Sequence, residues 1–462
     1  MNEKVNTWIE AHQRELIEDI RALCAIPSVR GAAKEGMPFG EGPYRSLHYA
    51  LGLCRKYGFE TKNYENYVGA ADFDASLPRT LDILAHTDVV PAGEGWTVTE
   101  PFQVVERDGR IYGRGVSDDK GPLLCALYAM RALKECSVSL KKGVRLIVGA
   151  DEECGSSDIV KYYAAEPEAE MTFSPDGEFP LINIEKGQFR GTLRKRYQEH
   201  NAVRLLSMQA GVALNAVPQR AELRFQGLEP ASYPDILASV ERDCGVELHA
   251  SGDTVTVTGV SAHASTPENG RNAGLAALCL LTRLPLPESE LLSAVRTLLR
   301  LFPYQVTDGS GIGIRMEDPE SHALSCTLDL FSIAEGEMEF SFDARTPVMA
   351  TKENCEEQAR RVIEAAGFAF TTPGMIPPHV VPSDSAFVQK LLGAYEAVTG
   401  LRGECLAIGG GTYVHELKNG VAFGAVLPGI DTKMHGADEF FDLDNMLLAT
   451  KVYAEAILAL CG

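Results

Sequence analysis

Residues 81–150 decide the fold, opening with LDILAH (81–86), passing through GPLLCALYAMRALKEC (121–136) and closing with VRLIVGA (144–150). The first and last pieces are short apolar runs bounded by turn residues, the pattern of strands buried on both faces. Between them Leu123, Leu124, Leu127, Met130 and Leu133 follow the helical period. Strands alternating with helices predict an α/β sheet. MTFS (171–174) reads as a further buried strand. Upstream, Val5, Trp8, Ile9, Leu16, Ile17, Ile20 and Leu23 recur at three- and four-residue steps, which predicts one amphipathic helix over 3–24, closed by Pro27.

From about residue 188 the texture changes. VTVTGV (255–260) and MEFSFDAR (338–345) alternate Thr, Val and polar residues, with helical stretches between them, and predict a second, α+β domain. Residues 403–429 return to apolar strands and Gly turns, and an apolar-periodic helix over 442–461 follows. The simplest topology inserts the second domain, 188–372, into a first domain formed by 1–187 and 373–462. No low-complexity tract or short repeat interrupts either part.

Composition narrows the function classes. The 462 residues, 45% hydrophobic and 23% charged, exclude a disulfide-stapled mini-protein and wholesale disorder. Lys+Arg 43 against Asp+Glu 64 gives a net charge of −21, which argues against binding nucleic-acid phosphates or anionic lipid and favours a small-molecule substrate. The N-terminus lacks the apolar core of a signal peptide, and no window approaches the roughly 20 apolar residues of a membrane span. A cytoplasmic location is expected. Eleven cysteines with no Cys-x-x-Cys pair fit reduced thiols, most of them small core residues.

The chemistry-bearing residues punctuate this frame. His86 and Asp88 form His-x-Asp at a strand end, and Asp118-Asp119 follow GRG (113–115) just before a helix. Asp151-Glu152-Glu153 end another strand, and Asp176 lies in the turn SPDGEFP (174–180). Each has a plain alternative: a core histidine, a helix N-cap, a solvated acidic turn, a turn aspartate. Together they read as four successive strand ends in one sheet, each delivering a carboxylate or imidazole to the same edge. Such a mixed cluster suits two divalent, zinc-like ions. Paired ions about 3.5–4 Å apart need a bridging carboxylate, terminal ligands on each side, and an unligated carboxylate as base.

HTDVVPAGEGW (86–96), GRGVSDDKGP (113–122), GADEECGS (149–156), SPDGEFP (174–180) and MHGADEF (434–440) resemble, in order, the motifs of the co-catalytic zinc aminoacylase/carboxypeptidase superfamily, peptidase family M20. The resemblance is strongest to its PepV-like dipeptidase branch. It implies an α/β dimetal catalytic domain of the phosphorylase/hydrolase-like type with an inserted α+β lid domain. It further implies that Asp118 bridges two divalent metal ions, with His86 and Asp176 on one and Glu153 and His435 on the other. Zinc is the expected metal, with manganese or cobalt as alternatives. Glu152 becomes the general base and Asp88 the acceptor that fixes the His86 tautomer. A metal-bridging hydroxide attacks the amide, and His263, in GVSAHASTPENGRNA (259–273), stabilises the oxyanion. A cis Asp118–Asp119 peptide is also implied.

The resemblance places Asn215 and Arg345 on the substrate, Arg345 at its C-terminal carboxylate, with Gly410, Gly411 and Thr412 of the turn 409–412 lending backbone N–H groups there. The expected activity is a metal-dependent dipeptidase acting on dipeptides with a free amino terminus. Because the inserted domain of this branch supplies its own His, a monomer is expected. An N-acyl-amino-acid deacylase or carboxypeptidase on the same fold, and a non-catalytic metal-dependent peptide binder, are the alternatives. Glu152 counts against the binder, which has no use for a base. Two departures, the basic segment QFRGTLRKRYQEHNAV (188–203) and Cys154 directly after Glu153, bear on substrate preference.

Overall fold

The computed structural model describes residues 2–334 and 336–462. The chain divides into two compact units. The first comprises Met1–Ile184, Val380–Leu406 and Gly411–Gly462, and the second Glu185–His379 with Ala407–Gly410. The sequence had set its boundaries at 187/188 and 372/373, and had left 407–410 in the first part.

In the first unit the central sheet runs in the order Glu60–Tyr64, Val68–Asp72, Gly143–Gly149, Arg79–His86, Met171–Ser174, Gly420–Ala422, Leu181–Glu185. Arg79–His86 is parallel to both Gly143–Gly149 and Met171–Ser174, with His86 opposite Gly149. These strands therefore end along one edge, as the apolar runs predicted. Gly420–Ala422 lies parallel to Met171–Ser174 on one side and antiparallel to Leu181–Glu185 on the other.

The helix Lys120–Glu135 is buried at every position from Lys120 to Leu133, which explains why its sequence lacks a polar face. It packs with the helix Leu443–Cys461 in a core that includes Phe173, Phe179, Phe423 and Tyr453.

Two expectations are corrected here. The helix predicted over 3–24 is two, Glu3–Ala11 and Gln13–Cys24, broken at His12 (φ −107°, ψ 11°). The His12 ring stacks on Trp8 at 3.7 Å, and its Nδ1 lies 2.7 Å from the Trp8 carbonyl that the His12 N–H also binds. This side-chain competition for a helical acceptor disturbs the turn.

The second correction concerns Asp118, which does not sit at an end of the central sheet. Its preceding strand, Arg110–Tyr112, belongs to a separate three-stranded sheet with Val105–Arg107 and Phe440–Asp442. The N-terminus of the helix Lys120–Glu135 brings it to the edge instead. The Asp118–Asp119 peptide is cis.

The second unit is an antiparallel sheet in the order Glu247–Ser251, Thr254–Thr258, Arg220–Gln226, Arg204–Ala210, Ser325–Ala334, Glu337–Thr346, Gly187–Arg196, Ala369–Thr371, with Met375–Ile376 also on Gly187–Arg196. Arg220–Gln226 alternates strictly between exposed and buried residues, the signature of a sheet with one covered face. Residues from the helices Pro234–Cys244, Ala273–Arg283, Glu290–Leu301 and Glu357–Ala365 share its core. Gly274 permits a close approach of the helix Ala273–Arg283 to the sheet, since a Cβ there would stand 2.4 Å from the Phe331 ring.

The basic segment 188–203 finds its explanation in this sheet. Phe189 and Leu193 point inward, while Arg190 and Arg194 pair across the strand with Asp343 at 2.8 Å and Glu339 at 2.6 Å.

Among the described residues no helix is long and apolar enough to cross a membrane. All eleven cysteines are free, and eight of them are buried.

Candidate active site

The sheet edge of the first unit gathers five of the residues marked by the sequence into two overlapping clusters. His86, Asp118 and Asp176 each offer a ligand atom within 4.8 Å of one another, and so do Asp118, Glu153 and His435. His86 Nε2 lies 3.1 Å from Asp118 Oδ1 and 3.6 Å from Asp176 Oδ2, while His435 Nε2 lies 2.8 Å from Asp118 Oδ2 and 3.3 Å from Glu153 Oε2. Asp118 thus turns one oxygen toward each cluster. Glu152 belongs to neither, yet it is next in the chain to Glu153 in the short turn Glu152–Cys154.

The electrostatics of this group call for cations. Burial, then the charge of Asp118, raises the carboxyl pKa values of Glu153 and Asp176. Burial raises Glu152 well above the usual carboxylate range, with Asp176, Glu153 and Asp118 adding to it against the opposing His86. Burial opposes charge at His435, but Asp118 and Glu153 outweigh it and hold the imidazole up to about 11. His86 is likewise raised well above its ordinary value by Asp118, Asp176 and Asp88, against its burial. Carboxylates this crowded repel one another unless positive charge lies among them.

One atom tests the fit of a metal directly. His86 Nδ1 faces two acceptors, the Asp88 carbonyl at 3.2 Å and Asp88 Oδ1 at 3.4 Å, so it carries the proton. With that proton held on Nδ1, the buried Nε2, 3.1 Å from Asp118 Oδ1 and 3.6 Å from Asp176 Oδ2, is the atom that can give up its own proton to an incoming cation and offer it a lone pair. A lone pair and two carboxylates converging on one point fit a divalent ion, and the mixed His/carboxylate donor set suits zinc-like metals.

Other side chains hold the arrangement. The Asp88 carboxylate accepts the N–H groups of Glu152 at 3.2 Å and Glu153 at 3.1 Å, so it fixes the turn as well as His86. Asp151, fully buried, receives Arg30 Nη1 at 2.7 Å and Ser157 Oγ at 2.5 Å. Asp119 Oδ2 accepts the His86 N–H at 3.0 Å, tying the helix start to the strand end. Sequence reasoning placed Asp119 beside Asp118 before a helix, but missed this tether. It also missed the buried pair Arg114–Glu439, although both lie inside quoted motifs.

The second unit assembles its own set. Ala216 pairs with His263, and the Ala264 N–H donates to the Asn215 carbonyl at 2.9 Å. His263 is exposed, and its Nδ1 accepts from the Ser265 N–H at 3.2 Å and stands 2.6 Å from Ser265 Oγ. Because a backbone N–H only donates, Nδ1 is an acceptor and the neutral ring carries its proton on Nε2. Ser265, two residues beyond His263, was another residue the sequence did not single out.

Arg345 is held by Asp343, with Nε at 2.6 Å from Oδ1, and its Nη1 donates to the Gly409 carbonyl at 2.8 Å. Gly409 in turn packs on Ser265, where a Cβ would meet the serine Cβ at 2.5 Å. Asn215, His263, Arg345 and Gly410 therefore belong to the second unit, and Gly411 and Thr412 to the first. There the Thr412 hydroxyl accepts from the Val414 N–H at 3.3 Å and caps the turn Tyr413–Glu416.

Fold and clusters together define the class, a dimetal hydrolytic enzyme with a second α+β domain. The chain belongs to peptidase family M20/M25/M40, whose model matches residues 83–459. It is 35% identical over 462 residues to the "Putative dipeptidase YtjP" of Bacillus subtilis (strain 168), covering 97% of each chain. It is 34% identical to the "Beta-Ala-Xaa dipeptidase" of Lactobacillus delbrueckii subsp. lactis, covering 98% of this chain and 97% of that one. Among solved structures, human carnosine dipeptidase 1 is similar in fold, with a TM-score of 0.63 at 16% identity, covering 99% of this chain and 98% of that one. An M20 metallo-carboxypeptidase from Sulfolobus solfataricus is similar too, with a TM-score of 0.58 at 17% identity, covering 96% and 99%.

Proposed function

We propose that this chain hydrolyses the peptide bond of dipeptides with a free amino terminus. In this reading two divalent ions, zinc before manganese or cobalt, are held by His86 and Asp176, by Glu153 and His435, and by Asp118 between them. The observation that carries it is the split of Asp118, one oxygen to each cluster, with Glu152 beside both and part of neither. When bound, the ions supply Lewis acidity, which makes water a stronger acid and polarises the scissile carbonyl.

The protein's own groups do the rest. Glu152 takes the proton of the attacking water and passes it to the leaving amine. Asp88 keeps the turn of Glu152 and Glu153 in place. His263, with its proton on Nε2, donates to the oxyanion. Arg345, whose Nη1 retains a second N–H, binds the substrate's C-terminal carboxylate together with Asn215 and the N–H groups of Gly410, Gly411 and Thr412. The second unit serves as the lid. A monomer suffices in this reading, in which the second unit brings His263 to the ions of its own chain. A reducing, cytoplasmic setting accords with eleven free thiols.

His263→Ala is expected to lower kcat about 10²–10³-fold, the effect of losing one oxyanion donor, with the metal content unchanged. Equal kcat in variant and parent would assign the oxyanion to another group.

Substrate choice tests the whole reading. Free dipeptides are expected to be cleaved roughly tenfold to a hundredfold faster than their N-acetylated forms, because a blocked amine leaves an acidic group beside the ions desolvated and unpaired. A kcat/KM higher for N-acetyl or N-succinyl amino acids than for every free dipeptide in the panel makes the enzyme a deacylase instead.

A further inference from the structure

His435 is a ligand candidate in an unpromising place. About half of its side chain is exposed, at 51%, so ring packing does little to fix it. Its backbone is left-handed at φ 64°, as are Lys433 at 55° and Asp438 at 58°, conformations that non-glycine residues rarely choose unaided. Something else must hold this loop.

The Asp438 carboxylate holds one end by accepting the Thr97 and Val98 N–H groups and the Thr97 hydroxyl, and a buried ion pair holds the part around His435. Arg114 and Glu439 are 1% and 0% exposed, and Nη1 of the arginine lies 2.6 Å from Glu439 Oε2. Nη2 of Arg114 donates to the carbonyls of His435 at 3.1 Å, Gly436 at 3.1 Å and Ala92 at 3.3 Å. Glu439 Oε1 accepts the N–H groups of Gly115 and Ser117, both at 3.0 Å, and the Ser117 hydroxyl at 3.1 Å. The pair therefore fastens the loop of His435 to the loop that ends at Asp118. Burying two charges is costly, and replacing such a pair with apolar side chains is often neutral or stabilising. Fold stability alone is thus a weak reason to have it. Fixing one ligand against another is a better one.

We propose that Arg114 and Glu439 are positioning residues that set the His435 ring against Asp118 and Glu153 before any cation arrives. Through the His435 loop the Glu153/His435 site then depends directly on the latch, whereas the His86/Asp176 site shares with it only Asp118. This rests on the two-ion reading above. A guanidinium fork serves three carbonyls and a carboxylate at once, which the single ammonium of lysine does not.

Cobalt(II) titration of the metal-free protein, followed by its visible absorption and by competition with a chelator, separates the cases. The parent is expected to bind two equivalents. Arg114→Lys is expected to keep one at parental affinity and to bind the other at least tenfold more weakly. Two equivalents bound as tightly as in the parent, or both weakened alike, overturn the latch. Fewer than two on the parent overturns the two-ion reading, and the latch with it. Hydrogen exchange on the metal-free parent decides the matter even if the variant fails to fold. Protection across 432–440 without metal supports a preformed loop, and free exchange there until cobalt is added overturns it.

Discussion

Stripping divalent ions from the enzyme with a chelator is expected to abolish dipeptide hydrolysis, and zinc, cobalt or manganese to restore it. Among the described residues, the groups acting on Glu152 are the carboxylates of Asp118, Glu153 and Asp176 and the His86 imidazole, which supply no Lewis acid of their own. Reloading should also raise the melting temperature. Ions that bind only the folded chain stabilise it by about 2.7 kcal/mol at a hundred times their dissociation constant, and here they relieve the repulsion among Asp118, Glu153 and Asp176 as well. Full hydrolysis by metal-free protein, verified by elemental analysis, would end the reading.

Glu152→Gln should lower kcat about 10²–10⁴-fold, the range for a lost general acid–base group, or roughly 3–5 kcal/mol of barrier. Two metal equivalents should remain, because Glu152 lies outside both clusters. The amide keeps the shape of the side chain, so the turn anchored on Asp88 stays in place. Loss of a metal equivalent along with activity would make Glu152 a ligand instead of a base.

The fold was legible where burial imposes a pattern. The runs at 81–86, 144–150 and 171–174 had to be strands, being too short and too apolar for anything else beside the helix at 120–135. The break at His12 was hidden, because apolar spacing continues through it while a local ring contact with Trp8 interrupts the turn. At the site, residues whose chemistry is exceptional stood out: His86 on an apolar strand, paired acids at 118–119, three acids at 151–153. Those acting through backbone groups did not. Arg114 and Glu439 are 325 residues apart and read as ordinary surface charges. Ser265 looks like any turn serine until His263 accepts from its N–H. Spacing along the chain reports side chains that share a period, and it is silent on partners that only the tertiary fold introduces.

The strand Gly420–Ala422, wedged between Met171–Ser174 and Leu181–Glu185, also governs the order of events on the ribosome. Phe173 and Ile182 are synthesised early and then wait, with two unpaired strand edges, while the contiguous stretch Glu185–His379 emerges and can pair its own antiparallel strands. Only when residues 420–422 appear is the gap closed, and His435 follows shortly after. On the proposed two-ion reading, hydrolytic competence therefore waits until residue 435 has been made. A nascent chain stopped before residue 420 lacks the strand and, on the proposed reading, the His435 ligand, so it carries the open edges that invite aggregation and is inert toward the peptides around it.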